Sequence, residues 1–145
     1  MLLTRRFQAI EVNVPSGSTL TVFKFDDQPQ LTGKDGKPVI INAIELYSPS
    51  SITKSPVTGS DLMTVADIKK SFLTLYQGDL QTIYNLPLVN LMRVDVNDNT
   101  QPFIWQPFIV NLENVSWTKC QITLPSAPAS TGRVYAFGIH YSVGY

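Results

Sequence analysis

The chain has 145 residues, and its eleven Lys and Arg offset eleven Asp and Glu; this length suits one domain burying roughly 70% of its unfolded surface. Charged residues make up 15%, against about 25% in ordinary soluble domains. The longest runs of like charge are Arg5-Arg6, Asp26-Asp27 and Lys69-Lys70, which excludes the basic stripe of a specific nucleic-acid site.

Weak self-repulsion favours association, so a homo-oligomer or a subunit of a larger assembly is expected. The single cysteine, Cys120, excludes an internal disulfide framework and reads as core filler, because free cysteines prefer burial. In "MLLTRRFQAI" the basic pair follows the short apolar head, the wrong order for a signal peptide. The chain has no apolar run of about 18 residues, so no transmembrane segment is expected.

Strand signals recur at short intervals, separated by turn chemistry. In "FQAIEVNV", Ile10, Val12 and Val14 share one face by period two, and "PSGS" then turns the chain at Gly17. "TLTVFKF" is apolar on both faces, with Leu20 and Val22 opposite Phe23 and Phe25, which predicts a central or partner-covered strand. After a polar excursion with a tight-turn Asp35-Gly36 pair, "VIINAIELY" reads as a β-branched-rich strand. "SPSSITKSPVTGSDL" reads as a surface loop.

"MTVADIKKSFLTLY" combines helical spacing at Val65, Ile68 and Phe72, with Asp61 as a candidate cap, and a strand from Ser71 to Tyr76. "TIYNLPLVNLMRVDV" predicts two strand pieces broken at Pro87. In "TQPFIWQPFIVNL", Pro102 and Pro107 disfavour a regular inner strand. Phe103, Trp105 and Phe108 therefore belong either to a loop packed on the core or to a subunit contact surface. "NVSWTKCQITL" predicts a strand over its length. In the closing "RVYAFGIHYSVGY", Tyr135, Phe137, Ile139, Tyr141 and Val143 share one face, and Ala136, Gly138, His140 and Ser142 the other. The small residues there leave room for another layer or subunit.

Catalytic patterns are sparse. His140 is the only histidine, which undercuts Ser-His-Asp, Cys-His and multi-histidine metal schemes, and it reads as a partly exposed structural residue. "DVNDNT" places Asp95, Asn97 and Asn99 as a calcium loop would, but Thr100 and Gln106 stand where glycine and glutamate are needed. Neither catalytic residues nor a metal or other cofactor is expected.

Eight or nine strands, little helix and no internal repeat predict an all-β, two-sheet antiparallel sandwich spanning residues 1–145, with a single jelly roll the leading topology. An immunoglobulin-like sandwich is the runner-up, although its Cys-Trp-Cys hallmark is missing.

The lead-in "MLLTRRFQAIEV", the strand "TLTVFKF", the crossing "NLPLVNL" and the terminal "RVYAFGIHYSVGY" together give a whole-chain layout. It resembles the small single jelly-roll proteins of virus particles, particularly the vertex (penton) proteins of tailless icosahedral bacteriophages. The resemblance implies a non-enzymatic capsid subunit located in the virion, ringed as a pentamer at fivefold vertices. It further implies contact with the major capsid protein and proximity to spike or internal membrane components. A head decoration or fibre-base protein of a tailed phage would share the charge-poor β character. A carbohydrate-binding sandwich, with Trp105 and Trp117 stacking on sugar rings, is a separate reading. A cupin-type enzyme is disfavoured by the lone histidine.

Overall fold

The computed structural model describes residues 3–33, 36–49, 55–93 and 107–144. Among the described residues there are nine strands: β1 (Leu3–Val14), β2 (Val22–Lys24), β3 (Val39–Tyr47), β4 (Phe72–Gln77), β5 (Leu80–Pro87), β6 (Met92–Arg93), β7 (Phe108–Glu113), β8 (Gln121–Thr123) and β9 (Arg133–Gly144). One four-residue helix, α1 (Val65–Ile68), precedes β4. The first sheet runs β1-β9-β3-β6, with β7 also on β3, and the second runs β2-β8-β4-β5.

The pairings are nested. β1 lies antiparallel to β9, β2 to β8, β3 to β7 and β4 to β5, so the chain is one long hairpin of strand pairs, rolled up. Its tip is the turn between β4 and β5, where Gly78 takes φ 60°, a value glycine adopts without steric cost. Rolling inserts β9 between β1 and β3, and β8 between β2 and β4. This is jelly-roll winding, two sheets built from Greek-key turns. The two-residue β6 is an addition that runs parallel to the end of β3.

The winding explains why the closing strand is so apolar. Flanked by β1 and β3, β9 buries Tyr135, Phe137, Ile139 and Tyr141 in the core between the sheets. Each such side chain contributes roughly 1.5–3 kcal/mol on full burial. Phe25 bridges the sheets, its ring centroid 5.3 Å from that of Phe137 and 5.7 Å from that of Trp117. In β1 the inward Ile10, Val12 and Val14 are buried while Glu11 and Asn13 are exposed, as period two requires.

Several elements differ from the sequence expectations. β2 is an edge strand rather than a central one, with Leu20 and Val22 exposed and Phe23 and Phe25 inward. "NVSWTKCQITL" is a strand only at Gln121–Thr123. Its middle, Trp117–Lys119, is a 3-10 turn that drives the indole into the core, where its N–H donates to Leu31 O at 3.2 Å; tertiary burial overrides the alternation. The cap of α1 is Thr64, whose hydroxyl accepts from Asp67 N–H, not Asp61. The buried Asp67 carboxylate accepts from Ala129 N–H at 3.0 Å and Ser130 N–H at 2.8 Å, pinning the loop that feeds β9.

The break at Pro87 falls as expected: β5 ends there and a 3-10 turn, Leu88–Leu91, leads to β6. Cys120 is buried, as expected of core filler; its thiol donates to Ser116 O and accepts from Tyr76 N–H. Among the described residues no helix is long and apolar enough to cross a membrane.

Candidate functional site: the outer face of the first sheet

The face of β9 turned away from the core carries Ala136, Gly138, His140 and Ser142. Its two ends are treated differently. At the Ala136 end, the chain leading to α1 lies over the sheet: Leu62, Tyr47 and Ala136 form a small buried cluster with Val57 and Val134 against it. Met63 N–H donates to Val134 O at 2.9 Å, and the Arg133 guanidinium donates to Ser60 O and Leu62 O. At the other end the face is open. Cross-strand register sets Phe7, His140, Ala43 and Ile109 in one row across β1, β9, β3 and β7. Phe7 is 49% exposed and Ile109 64%.

Between the covered and open ends sits Glu45. A β-bulge at Asn42 changes the phase of β3, so that Val39 and Ile41 point inward before it and Ile44 and Leu46 after it. The same phase change turns Glu45 onto the outer face. Its side chain is only 3% exposed. Arg93 Nη1–H donates to Oε1 at 3.0 Å, and His140 Nε2 lies 3.5 Å from Oε2. Phe7 meets the His140 ring edge-on at 5.2 Å, and the Arg93 guanidinium lies 6.0 Å from the centre of the Tyr47 ring. Burial, reinforced by the hydrogen bond and charge of Glu45, holds the Tyr47 phenol above the ordinary tyrosine range; Arg93 works against this shift.

The room above Gly138 is not left for another layer. A Cβ there would lie 2.7 Å from Glu45 Cγ and 2.8 Å from Phe7 Cε2, so the chain's own side chains fill the space. Chemically the cluster is a closed ion network. Both carboxylate oxygens of Glu45 face a nitrogen of the same chain, and around the cluster the apolar Phe7 and Ile109 are exposed beside the partly exposed His140 and the charged Arg5 and Glu11 of β1. Such an arrangement suits contact with another surface.

Of the residues singled out from sequence, His140 lies in this cluster. Phe103 and Trp105 lie outside the described residues, as do Asp95, Asn97, Asn99, Thr100 and Gln106. Phe108 opens β7 facing Ile44 and packs against the core, half-buried; the outward neighbour is Ile109. Trp117 is 2% exposed, and its ring is committed to the core, which removes it as a platform for stacking on sugar. His140 is partly exposed, in keeping with a structural histidine. Glu45 and Arg93 were missed; the available signal was a lone acid inside the apolar run "VIINAIELY".

No protein-family model, no curated protein and no solved structure matches the chain.

Proposed function

We propose that the chain is a structural, non-enzymatic subunit of a virus particle, a penton or other minor capsid protein that acts through contacts with copies of itself and with the major capsid protein. The observation that carries this reading is the nested jelly-roll pairing, which supports the whole-chain likeness to small single jelly-roll virion proteins. Jelly rolls host capsid subunits, lectins and cupins, and function must be argued from sites rather than from fold. Trp117 is buried, which weakens the lectin reading, and the one histidine is engaged with Glu45, which weakens the cupin one. The low charge and the exposed Phe7, Leu20, Val22, Leu80, Tyr84 and Ile109 favour a protein that works by being covered.

The test is to purify particles from a culture producing this chain and quantify it by mass spectrometry against the major capsid protein. Co-purification at a fixed stoichiometry through a density gradient is expected. A chain confined to particle-free fractions would end the proposal. Cryo-electron microscopy of the same particles separates a fivefold vertex from a decoration site.

A further inference from the structure

Most strand edges of the two sheets are blunted in ways that discourage pairing with another chain. β2 is three residues long. β5 carries two register shifts against β4, Asn85 at φ 51° and a terminal proline. The far side of β3 is divided between β7, which bends at Asn111 (φ 49°), and β6. β1 differs. Its twelve residues keep one unbroken register against β9, from Leu3 opposite Gly144 to Val14 opposite Arg133. It contains no proline, and among the described residues no strand pairs with its other side.

We infer that β1 is the docking edge for a second copy of this chain, and that antiparallel pairing of the two β1 strands joins two five-stranded sheets into one continuous sheet across a two-fold axis. The hydrogen-bonding phase can be read from the fold. Gly144 N–H donates to Pro38 O, away from β1, so Leu3 and Gly144 form a non-hydrogen-bonded pair. By alternation, the N–H and C=O groups of Arg5, Phe7, Ala9 and Glu11 point to the open side.

Charge selects the register. Arg5 and Glu11 are exposed and lie on the same outer face of β1. Setting Arg5 opposite Glu11 of the second copy repeats the ion pair through the two-fold, and opposes Phe7 to Ala9. Sliding by two residues in either direction loses both ion pairs. The chosen register also brings Gln8 against Gln8 of the second copy on the axis, at a non-hydrogen-bonded position where side chains approach most closely. Arg6, the one charge on the inward side of β1, lines a cavity of about 390 Å³ with Pro29, Lys37 and Tyr141.

This inference stands on the strand edge and not on the virion reading; a monomer that enters particles would sink it and leave the other intact. Sedimentation velocity on the full chain, from about 1 to 200 μM, should show a monomer–dimer equilibrium. Arg5→Glu and Glu11→Arg should each weaken the dimer about tenfold, since each replaces two attractive cross-strand pairs by two repulsive ones. The double swap should return the dissociation constant to within about threefold of the starting protein. Ala9→Pro removes an N–H that points away from β9 and should abolish the dimer while a thermal melt by circular dichroism stays cooperative; should that variant fail to fold, the charge swap decides. A monomer throughout the range, or an oligomer indifferent to the charge reversals, overturns the inference.

Discussion

Glu45 occupies the space that a side chain at Gly138 would need: a Cβ there would lie 2.7 Å from Glu45 Cγ and 2.8 Å from its Oε1. The glycine is required by this close approach, not by its backbone angles. Gly138→Ala should therefore push Glu45 out of its contacts with Arg93 and His140 and shift Phe7. An overpacking cost of about 1–3 kcal/mol is expected, read as a lower urea midpoint with an unchanged slope. Stability within about 0.5 kcal/mol of the parent would mean that the face yields more easily than its packing indicates.

Arg93 is the cation that compensates a carboxylate only 3% exposed. Removing it while leaving Glu45 charged strands a buried anion, for which breaking a buried pair costs about 3–5 kcal/mol. Because the Arg93 side chain is 22% exposed, water screens part of this loss, and Arg93→Met should cost about 2–3 kcal/mol. Adding Glu45→Gln should recover a measurable part of it, since the stranded charge is then gone. If the two substitutions simply add within about 0.5 kcal/mol in urea melts at pH 7, the pair is not coupled as its geometry requires.

The strand framework was legible because alternation and turn residues are local signals. Ile10, Val12 and Val14 define β1, Pro87 ends β5, and the closing strand's two-sided burial follows from its composition. What escaped is set by non-local packing. The Asn42 bulge was visible only as a broken alternation in "VIINAIELY", with Val39 and Ile41 out of phase with Ile44 and Leu46. Local alternation puts Trp117 on a strand, because nothing local says that its indole will seek Leu31 O, more than eighty residues earlier in the chain. Glu45, Arg93 and His140 come from three strands, so their meeting depends on the order in which the roll is wound. Aromatic content alone leaves Phe103, Trp105 and Phe108 open between packing on the core and subunit contact. Of the two alternatives for that segment, Phe108 takes packing against the core.

Alkaline pH should destabilise the fold before it affects most surface groups. Burial pushes the Cys120 thiol from 9.0 up to about 11, only partly offset by the Tyr76 N–H. It likewise pushes the Tyr135 phenol from 10.0 up to about 12, with the Ser71 hydrogen bond opposing and Asp67 reinforcing. Between the unfolded and folded values the unfolded chain binds fewer protons, so unfolding stability falls as pH rises. The stabilising contribution is complete below about pH 9 and is lost progressively through pH 11 for the thiol and pH 12 for the phenol. Urea midpoints should decline over this window, and Cys120→Ala should flatten the early part of the decline. A thiol reagent should modify Cys120 only as fast as the protein opens. Rapid labelling of the folded protein at pH 8 would contradict the burial of this side chain.

Deleting residues 135–145 should abolish folding outright. Among the described residues β9 is the strand that joins β1 to β3, so without it the first strand loses its described partner in the sheet, and the outward face of β3 loses the strand that carries His140. Inside the core, Phe25 loses the ring of Phe137, and Ser71 loses the Tyr135 hydroxyl at 2.8 Å. The apolar Ile41, Ile44 and Leu46 of β3 would lose the Tyr141, Ile139 and Phe137 that lie beside them in register. With native domains stable by only about 5–15 kcal/mol, loss of several fully buried side chains at about 1.5–3 kcal/mol each exceeds the margin. The truncated chain should show no cooperative thermal transition and collapsed amide dispersion in a ¹H–¹⁵N spectrum, while Tyr145→Ala alone should melt cooperatively. A soluble truncation that melts in one sharp step would mean that the nested pairing can close without its outermost strand.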